Sequence, residues 1–336
     1  MKQRRPDEHS VLQRIYAHFA GAKQNIAGSA VHVGIGDDTA LFRPKSGHET
    51  ILTCDWFLEG THFLREKHSP DSVGWKCLAR GISDVAAMGG VPRCFLLSLA
   101  LPESHTDRWL DAFLGGLRRA SRKFDCTLAG GDSTQRREIL INLTIVGEIR
   151  NGRAVLRSGA RAGEIIYVTG RLGEAELGLR MLRSRNGPVR PSNPPLKKHL
   201  YPEPRLALGQ WLAEKGLATS MMDLSDGLSS DLPRLCAASG VGALVESTKL
   251  PVVQLSSTDR QHRLDPLQLA LHGGDDYELL FTVRPRRVNM LPKTLHGVPL
   301  TAIGRITEQR GLVLLKQEGR ERQLHPGGWD PFRSKR

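Results

Sequence analysis

The apolar residues of this chain come in short runs whose period switches repeatedly between two and about 3.6, and that alternation restricts the fold more than any other feature. "HETILTCDWFL" reads as a strand. "SVGWKCLARGISDVAAMGG" sets Val73, Cys77, Leu78, Ile82, Val85 and Met88 at helical spacing and stops at a Gly-Gly pair. "CFLLSLALP" is a short buried strand ended by Pro102, and "DRWLDAFLGGLRRASRKF" is an amphipathic helix. "TLAGGDST" returns as a strand into a turn, and "EILINLTIVGEI" is a strand rich in β-branched residues. The pattern restarts after residue 150 with the strand "GEIIYVTG" and the helix "RLALGQWLAEKGLA". A turn into a helix over "SMMDLSDGLSSDLPRLCAASG" follows, then a turn into a strand over "DDYELLFTV" and a hairpin with a tail over "GLVLLKQEGRERQLHPGGWDPF". "NGPVRPSNPPLKKHLYPEP", rich in Pro and Asn, is expected to be a loop. The fold class is α/β (α+β), with two domains expected over 1–150 and 151–336.

No apolar run approaches the roughly 20 residues that span a bilayer, and Gln13, Arg14 and His18 interrupt what would be the apolar region of a signal peptide. A cytoplasmic protein is expected. Cys54, Cys77, Cys94, Cys126 and Cys236 are odd in number and form no C-x-x-C pair, which argues against a disulfide framework and a zinc site. The net charge of +13, from 48 Lys and Arg against 35 Asp and Glu, admits a nucleic-acid binder. Its excess is scattered over "RMLRSR", "LKKH", "RPRR" and "RSKR", without a recognition motif or a basic–aromatic stripe. No nucleic-acid partner is expected.

Against this basic background, aspartates recur at what read as Gly- or Ser-flanked turns. They are Asp37 and Asp38 in "GIGDD", Asp55 in "LTCDW", Asp84 in "GISDVAAMGG", Asp132 in "AGGDST", Asp223 and Asp226 in "MDLSDGL", and Asp275 and Asp276 in "HGGDDYELLF". One such aspartate is a turn, but a recurring series of them suits hard cations, above all Mg²⁺, which combines carboxylates with waters and substrate phosphates. No P-loop and no kinase catalytic-loop motif is present. Bound ATP would therefore depend on metal-bearing aspartates and on glycine amides such as those around Gly130 and Gly131.

"GIGDDTALF", "TCDWFLEGTHF", "ISDVAAMGGVP", "LAGGDST", "LRSGARAGE", "DLSDGLSSDL" and "GGDDYELLFTV" occur in this order, and the set resembles the thiamine-monophosphate kinase family of the aminoimidazole-ribonucleotide-synthetase-like ATP-binding superfamily. The resemblance runs from about Gly34 to Trp329. It implies an ATP-dependent phosphorylation of thiamine monophosphate to thiamine diphosphate. It also implies a homodimer whose N-terminal mixed sheets form a barrel, and a C-terminal α/β sandwich. ATP and magnesium binding and dimerisation are expected of the first domain, and further ATP, magnesium and substrate contacts of the second. Carried over, the resemblance implies magnesium ligation by Asp38, Thr53, Cys54, Asp55, Asp84, Asp132, Asp223 and Asp226. It implies ATP contacts at Gly131, Asp132, Arg157 and Ser225, and substrate contacts at His62, Asp275 and Trp329. No separate general base is expected, because a phosphate monoester is already an anionic nucleophile. The rival readings are another ATP-dependent member of the superfamily and a nucleic-acid binder with structural aspartates.

Without the resemblance, His62 reads as a capping or core residue and Trp329 as a tail anchor. Asp231 and Asp276 read as caps, and Asp37 as the solvated half of its pair. Two positions depart from the family pattern. Cys54 stands where Thr is common, so a backbone contribution to metal is expected there, and Asp275 stands where Glu is common.

Overall fold

The computed structural model describes residues 8–19, 30–35, 39–184, 191, 193–257, 259 and 263–332. The chain divides into two compact units, one of Met1–Val85 and Gly90–Asn151, the other of Ala86–Gly89, Gly152–Ser184 and Pro191–Arg336.

In chain order the first unit contains α1 (Glu8–Phe19), β1 (Val31–Val33), β2 (Leu41–Phe42), β3 (His48–Leu58) and α2 (Pro70–Ala87, whose last two residues belong to the second unit). It continues with β4 (Val91–Leu101), α3 (Arg108–Phe124), β5 (Thr127–Gln135) and β6 (Leu140–Arg150). Its main sheet runs β3-β6-β4-β5, with only β4 and β5 parallel. Side chains alternate across a strand, and the two faces differ. On one face Ile51, Phe57, Phe95, Leu97, Leu99, Ile141 and Ile145 are buried. Helix α2 lies against this face, where Gly81 admits the Ile145 side chain. Helices α2 and α3 meet with almost no side chain between them: a Cβ on Gly116 would lie 2.7 Å from the Asp71 carbonyl carbon, and one on Gly74 2.7 Å from the Leu117 nitrogen.

The other face carries Leu52, Cys54 and Trp56, which pair with Val146, Thr144 and Asn142. The β1-β2 ribbon covers its Cys94 and Val146 end through Val31, Ala40 and Phe42. Leu52 remains 69% exposed and Trp56 55%. Among the described residues no sheet closes on itself.

The second unit contains β7 (Ile165–Thr169), α4 (Glu174–Ser184), α5 (Pro194–Leu200), α6 (Leu206–Glu214), β8 (Ala218–Leu224), α7 (Leu228–Ser239), β9 (Gly242–Glu246), α8 (Pro266–His272) and β10 (Glu278–Val283). It ends with β11 (Thr294–Leu295), β12 (Val298–Thr307), β13 (Val313–Gln317) and β14 (Arg320–Gln323). The sheet order is β14-β13-β9-β12-β7-β10-β8, with β11 on β12, and only β9 and β13 are parallel. Helices cover both faces. Ile166, Val168, Met222, Leu224 and Leu280 pack with Leu228, Leu232 and Leu235 of α7 and Leu271 of α8. Tyr167, Met221, Leu279 and Phe281 pack on the other face with Leu208 and Leu212 of α6. Burial on both faces removes the alternation from the sequence, which is why "SMMDL" is a strand although its residues read as a turn into a helix. The loop expected over "NGPVRPSNPPLKKHLYPEP" contains α5 instead. Asn193 caps it by accepting from the Leu196 amide at 3.0 Å, with proline at the first turn.

Candidate functional site

In the first unit, Thr53 and Asp55 lie two residues apart on β3 and so share the face on which α2 packs. The Thr53 hydroxyl donates to Asp84 Oδ2 on α2 at 2.6 Å. Asp55 Oδ2 lies 3.9 Å from the point a Cβ on Gly81 would occupy, one helical turn before Asp84. Thr53, Asp55 and Asp84 therefore converge between β3 and α2. All three are half-buried.

Cys54 alternates to the opposite face, where its exposed thiol faces Asn142 Oδ1 at 3.3 Å. Its side chain points away from that convergence. The other four cysteines are buried, and burial pushes the thiols of Cys94 and Cys236 up to about 11 and about 12. Gly131 and Asp132 are on β5, at the far edge of the sheet from β3. Asp132 is exposed and pairs with Ser98, on the face that carries Cys54 and Trp56. Three strand spacings, roughly 14 Å, and the sheet itself separate it from Asp55. Gly131 is required by its backbone: φ is +154°, and a Cβ would lie 2.7 Å from the Leu97 carbonyl carbon.

His62 follows β3 in a turn, and its Nδ1 accepts the Leu58 amide at 3.0 Å. Its ring stacks on Phe57 with centroids 5.8 Å apart, while the Arg80 guanidinium lies 5.3 Å from the centroid of the Phe57 ring. Accepting at Nδ1 places the ring hydrogen on Nε2. The capping role read from the sequence is thus present. Asp37 and Asp38 lie outside the described residues.

In the second unit the segments "DLSDG", "GGDDY" and "GGW" come together at the adjoining ends of β8 and β10. The Asp275 amide donates to the Ser225 carbonyl at 2.8 Å, the Tyr277 amide to Leu224 at 2.9 Å, and the Trp329 amide to Asp226 at 2.9 Å. Gly227, at φ +102°, allows the Gly273 carbonyl to approach: a Cβ there would lie 2.9 Å from its oxygen. Asp223, Ser225, Asp226, Asp275 and Trp329 are thereby gathered in one place. Asp223 is buried and inside β8. Asp132 is likewise inside a strand, so the turn contexts read for these two residues are corrected, while Asp55 and Asp84 are inside the strand and the helix expected over "HETILTCDWFL" and "SVGWKCLARGISDVAAMGG". Flanking glycine and serine mimic a turn, whereas ladder pairing keeps Asp132 and Asp223 extended.

Asp231 does cap: its Oδ2 accepts the Ser225 and Asp226 amides at 3.1 and 3.0 Å. Burial, reinforced by the Asp226 charge, raises its carboxyl to about 7. Asp276 accepts the Gly173 and Ala175 amides at 2.6 and 3.1 Å at the start of α4, and burial raises it to about 7 as well. Arg234, one turn after Asp231, bridges Asp231 Oδ1 at 2.8 Å and Asp226 Oδ2 at 2.5 Å. Sequence reasoning missed Arg234, because an arginine in "LPRL" looks like any surface arginine. Arg157 is exposed, and its loop is held through the backbone, with Ser239 donating to its carbonyl at 2.9 Å.

The "GGDDY" segment is strained. Asp275 and Tyr277 have φ of 65° and 49°, a region that a bulky residue such as Tyr277 enters at a cost of order 1–3 kcal/mol. It is held from inside by Asp276 and by the buried Glu278. Glu278 accepts from Thr169 at 2.6 Å and from two Arg205 nitrogens at 2.6 and 2.5 Å, and it pairs with Lys198. Burial would raise the Glu278 carboxyl, but the Lys198 and Arg205 charges outweigh it and hold it below the usual range.

Among the described residues, no three His, Cys, Asp or Glu side chains gather closely enough to hold a metal by themselves. The convergent donors are nonetheless all oxygen: two carboxylates and a hydroxyl between β3 and α2, and Asp223 and Asp226 in the second unit. That donor chemistry fits a magnesium ion that takes its remaining ligands from water and phosphate.

Two successive units carrying acids at these places define a class of protein. The AIR synthase related protein N-terminal domain matches residues 36–149, and the C-terminal domain of the same description matches 161–317. The chain is 34% identical to a thiamine-monophosphate kinase of Bacillus subtilis, over 97% of this chain and 98% of that one. The crystal structure of thiamine-monophosphate kinase from Stenotrophomonas maltophilia shares the fold with a TM-score of 0.79 at 33% identity, covering 93% of this chain and 98% of that one. AaThiL complexed with AMPPCP and TMP gives 0.75 at 31% identity, covering 98% of each chain. The chain belongs to the thiamine-monophosphate kinase family.

Proposed function

We propose that the chain transfers the γ-phosphoryl group of ATP to the phosphate of thiamine monophosphate, giving thiamine diphosphate and ADP. The observation that carries this reading is the full-length likeness to thiamine-monophosphate kinases, among them one solved with AMPPCP and TMP. An oxygen of the acceptor phosphate attacks the γ-phosphorus in line, and the bond to the bridging oxygen breaks, leaving its electron pair on ADP. The acceptor is already anionic, so no side chain has to remove a proton. What the chain must supply is position and compensation of charge.

Asp38, Thr53, Asp55, Asp84, Asp132, Asp223 and Asp226 are the candidates to hold magnesium, with Cys54 contributing through its backbone. When bound, magnesium neutralises the phosphate oxygens. Gly131, Asp132, Arg157 and Ser225 are assigned to ATP. The planar Arg157 guanidinium suits bidentate contact with phosphate, and its exposure leaves it available. His62 and Asp275 are assigned to the acceptor, the Asp275 carboxylate suiting its donors or positive charge. Trp329, half-buried beside Asp226, offers a face on which a thiazolium ring can stack for roughly 0.5–2 kcal/mol.

A second copy of the chain is proposed to cover the open face of the β3-β6-β4-β5 sheet, where Leu52, Trp56 and Leu96 remain exposed. Sheet-to-sheet association there would form the dimeric barrel. The functional reading is tested by following ATP consumption with magnesium and thiamine monophosphate, thiamine or no acceptor. Thiamine diphosphate formed only from the monophosphate supports it, and turnover with another acceptor alone refutes it.

A further inference from the structure

Asp275 and Asp276 are neighbours that do opposite jobs, and the residue that separates them functionally is Tyr277. Asp276 turns inward to the amides of Gly173 and Ala175. Asp275 stays half-buried at the mouth formed with "DLSDG" and Trp329. Tyr277 is 2% exposed, yet its hydroxyl donates to Asp275 Oδ1 at 2.6 Å. That contact spans only two residues, and both members are in the left-handed region. Asp275 Oδ2 faces the buried His199, whose Nδ1 is 3.9 Å away.

We infer that Tyr277 is a positioning residue: its hydroxyl holds one oxygen of Asp275 so that the carboxylate meets the acceptor in a single orientation, with His199 behind the second oxygen. This rests on the proposed function, in which Asp275 contacts thiamine monophosphate. A charge-assisted bond of this kind limits the rotation of a short side chain, so its effect falls on acceptor binding and not on ATP.

The test uses full-length wild type, Tyr277→Phe, Asp275→Ala and the double variant, with KM measured separately for thiamine monophosphate and ATP, alongside kcat and melting temperature. Tyr277→Phe removes one oxygen and keeps the buried ring, so the chain is expected to fold. The expected result is a rise of about tenfold in acceptor KM, with ATP KM changed by less than about twofold. In the Asp275→Ala background, Tyr277→Phe should add nothing, because the group it acts through is gone. An unchanged acceptor KM with a lowered melting temperature would make Tyr277 structural and overturn the inference. So would additive effects in the double variant. A wild type that does not phosphorylate thiamine monophosphate refutes the functional reading itself and removes the inference with it, an outcome distinct from an active wild type with an indifferent Tyr277→Phe.

Discussion

Adjacent glycines on α3 should respond to the same substitution with opposite sign. Replacing glycine by alanine within a helix ordinarily stabilises it by about 0.8–1 kcal/mol. At Gly115 nothing lies within 4 Å of the new Cβ, so Gly115→Ala should realise that gain. At Gly116 the Cβ would lie 2.7 Å from the Asp71 carbonyl carbon and 3.0 Å from its Cα, against 3.4–4 Å for ordinary contact. These are backbone atoms in the first turn of α2, so no side chain can swing aside and the helices must part. Overpacking of this kind costs about 1–3 kcal/mol. Set against the propensity gain, Gly116→Ala should lose up to about 2 kcal/mol. With roughly 2–4 °C per kcal/mol for units of this size, the two variants should melt about 2–12 °C apart, Gly115→Ala higher. Differential scanning calorimetry of both beside wild type reads this directly. Because α2 also carries Asp84, Gly116→Ala should lose turnover as well. A Gly116→Ala protein melting at or above Gly115→Ala would refute the backbone-to-backbone packing from which the argument starts.

Asp84→Asn should cut kinase turnover about a hundredfold or more while leaving the melting temperature within a few degrees, since it removes a charged donor and no packing; near-normal turnover would sink the metal assignment. Glu278→Ala leaves the half-buried Lys198 and Arg205 without their carboxylate and should cost about 3 kcal/mol in urea denaturation. Asp276 binds its proton more tightly folded, near 7, than unfolded, near 3.8, so its contribution to stability falls as pH rises between those values. Asp276→Asn should flatten that part of the profile, and melting curves across pH 4–8 that stay parallel to wild type would contradict it. Trp56→Glu places a charge on the open sheet face and should shift sedimentation from dimer to monomer; an unchanged sedimentation coefficient would put the association elsewhere.

The oxygen donors that meet between β3 and α2 and at the ends of β8 and β10 were legible as residue types in the sequence. The runs around Thr53, Asp84 and Asp226 combine apolar periodicity with oxygen donors, and local chemistry of that kind survives folding. What failed did so for identifiable reasons. Asp132 and Asp223 read as turn residues because Gly and Ser neighbours carry no information about ladder pairing. The strand of "SMMDL" was hidden because both of its faces are buried, which erases the period of two. Helix α5 was hidden because proline at a first turn looks the same as proline in a loop until Asn193 is seen to cap it.

The amino-acid sequence by itself determined which residues can do chemistry here and that Cys54 and Asp55, as neighbours in a strand, must face opposite ways. Only the tertiary structure decided which of those two faces α2 would cover. It alone set Asp132 on the far edge, brought Arg234 to Asp226, and turned Tyr277 back onto Asp275. The physical reason is the same in each case. Periodicity and propensity are properties of a few neighbouring residues, whereas a face, a register and an ion pair depend on which distant segment packs there.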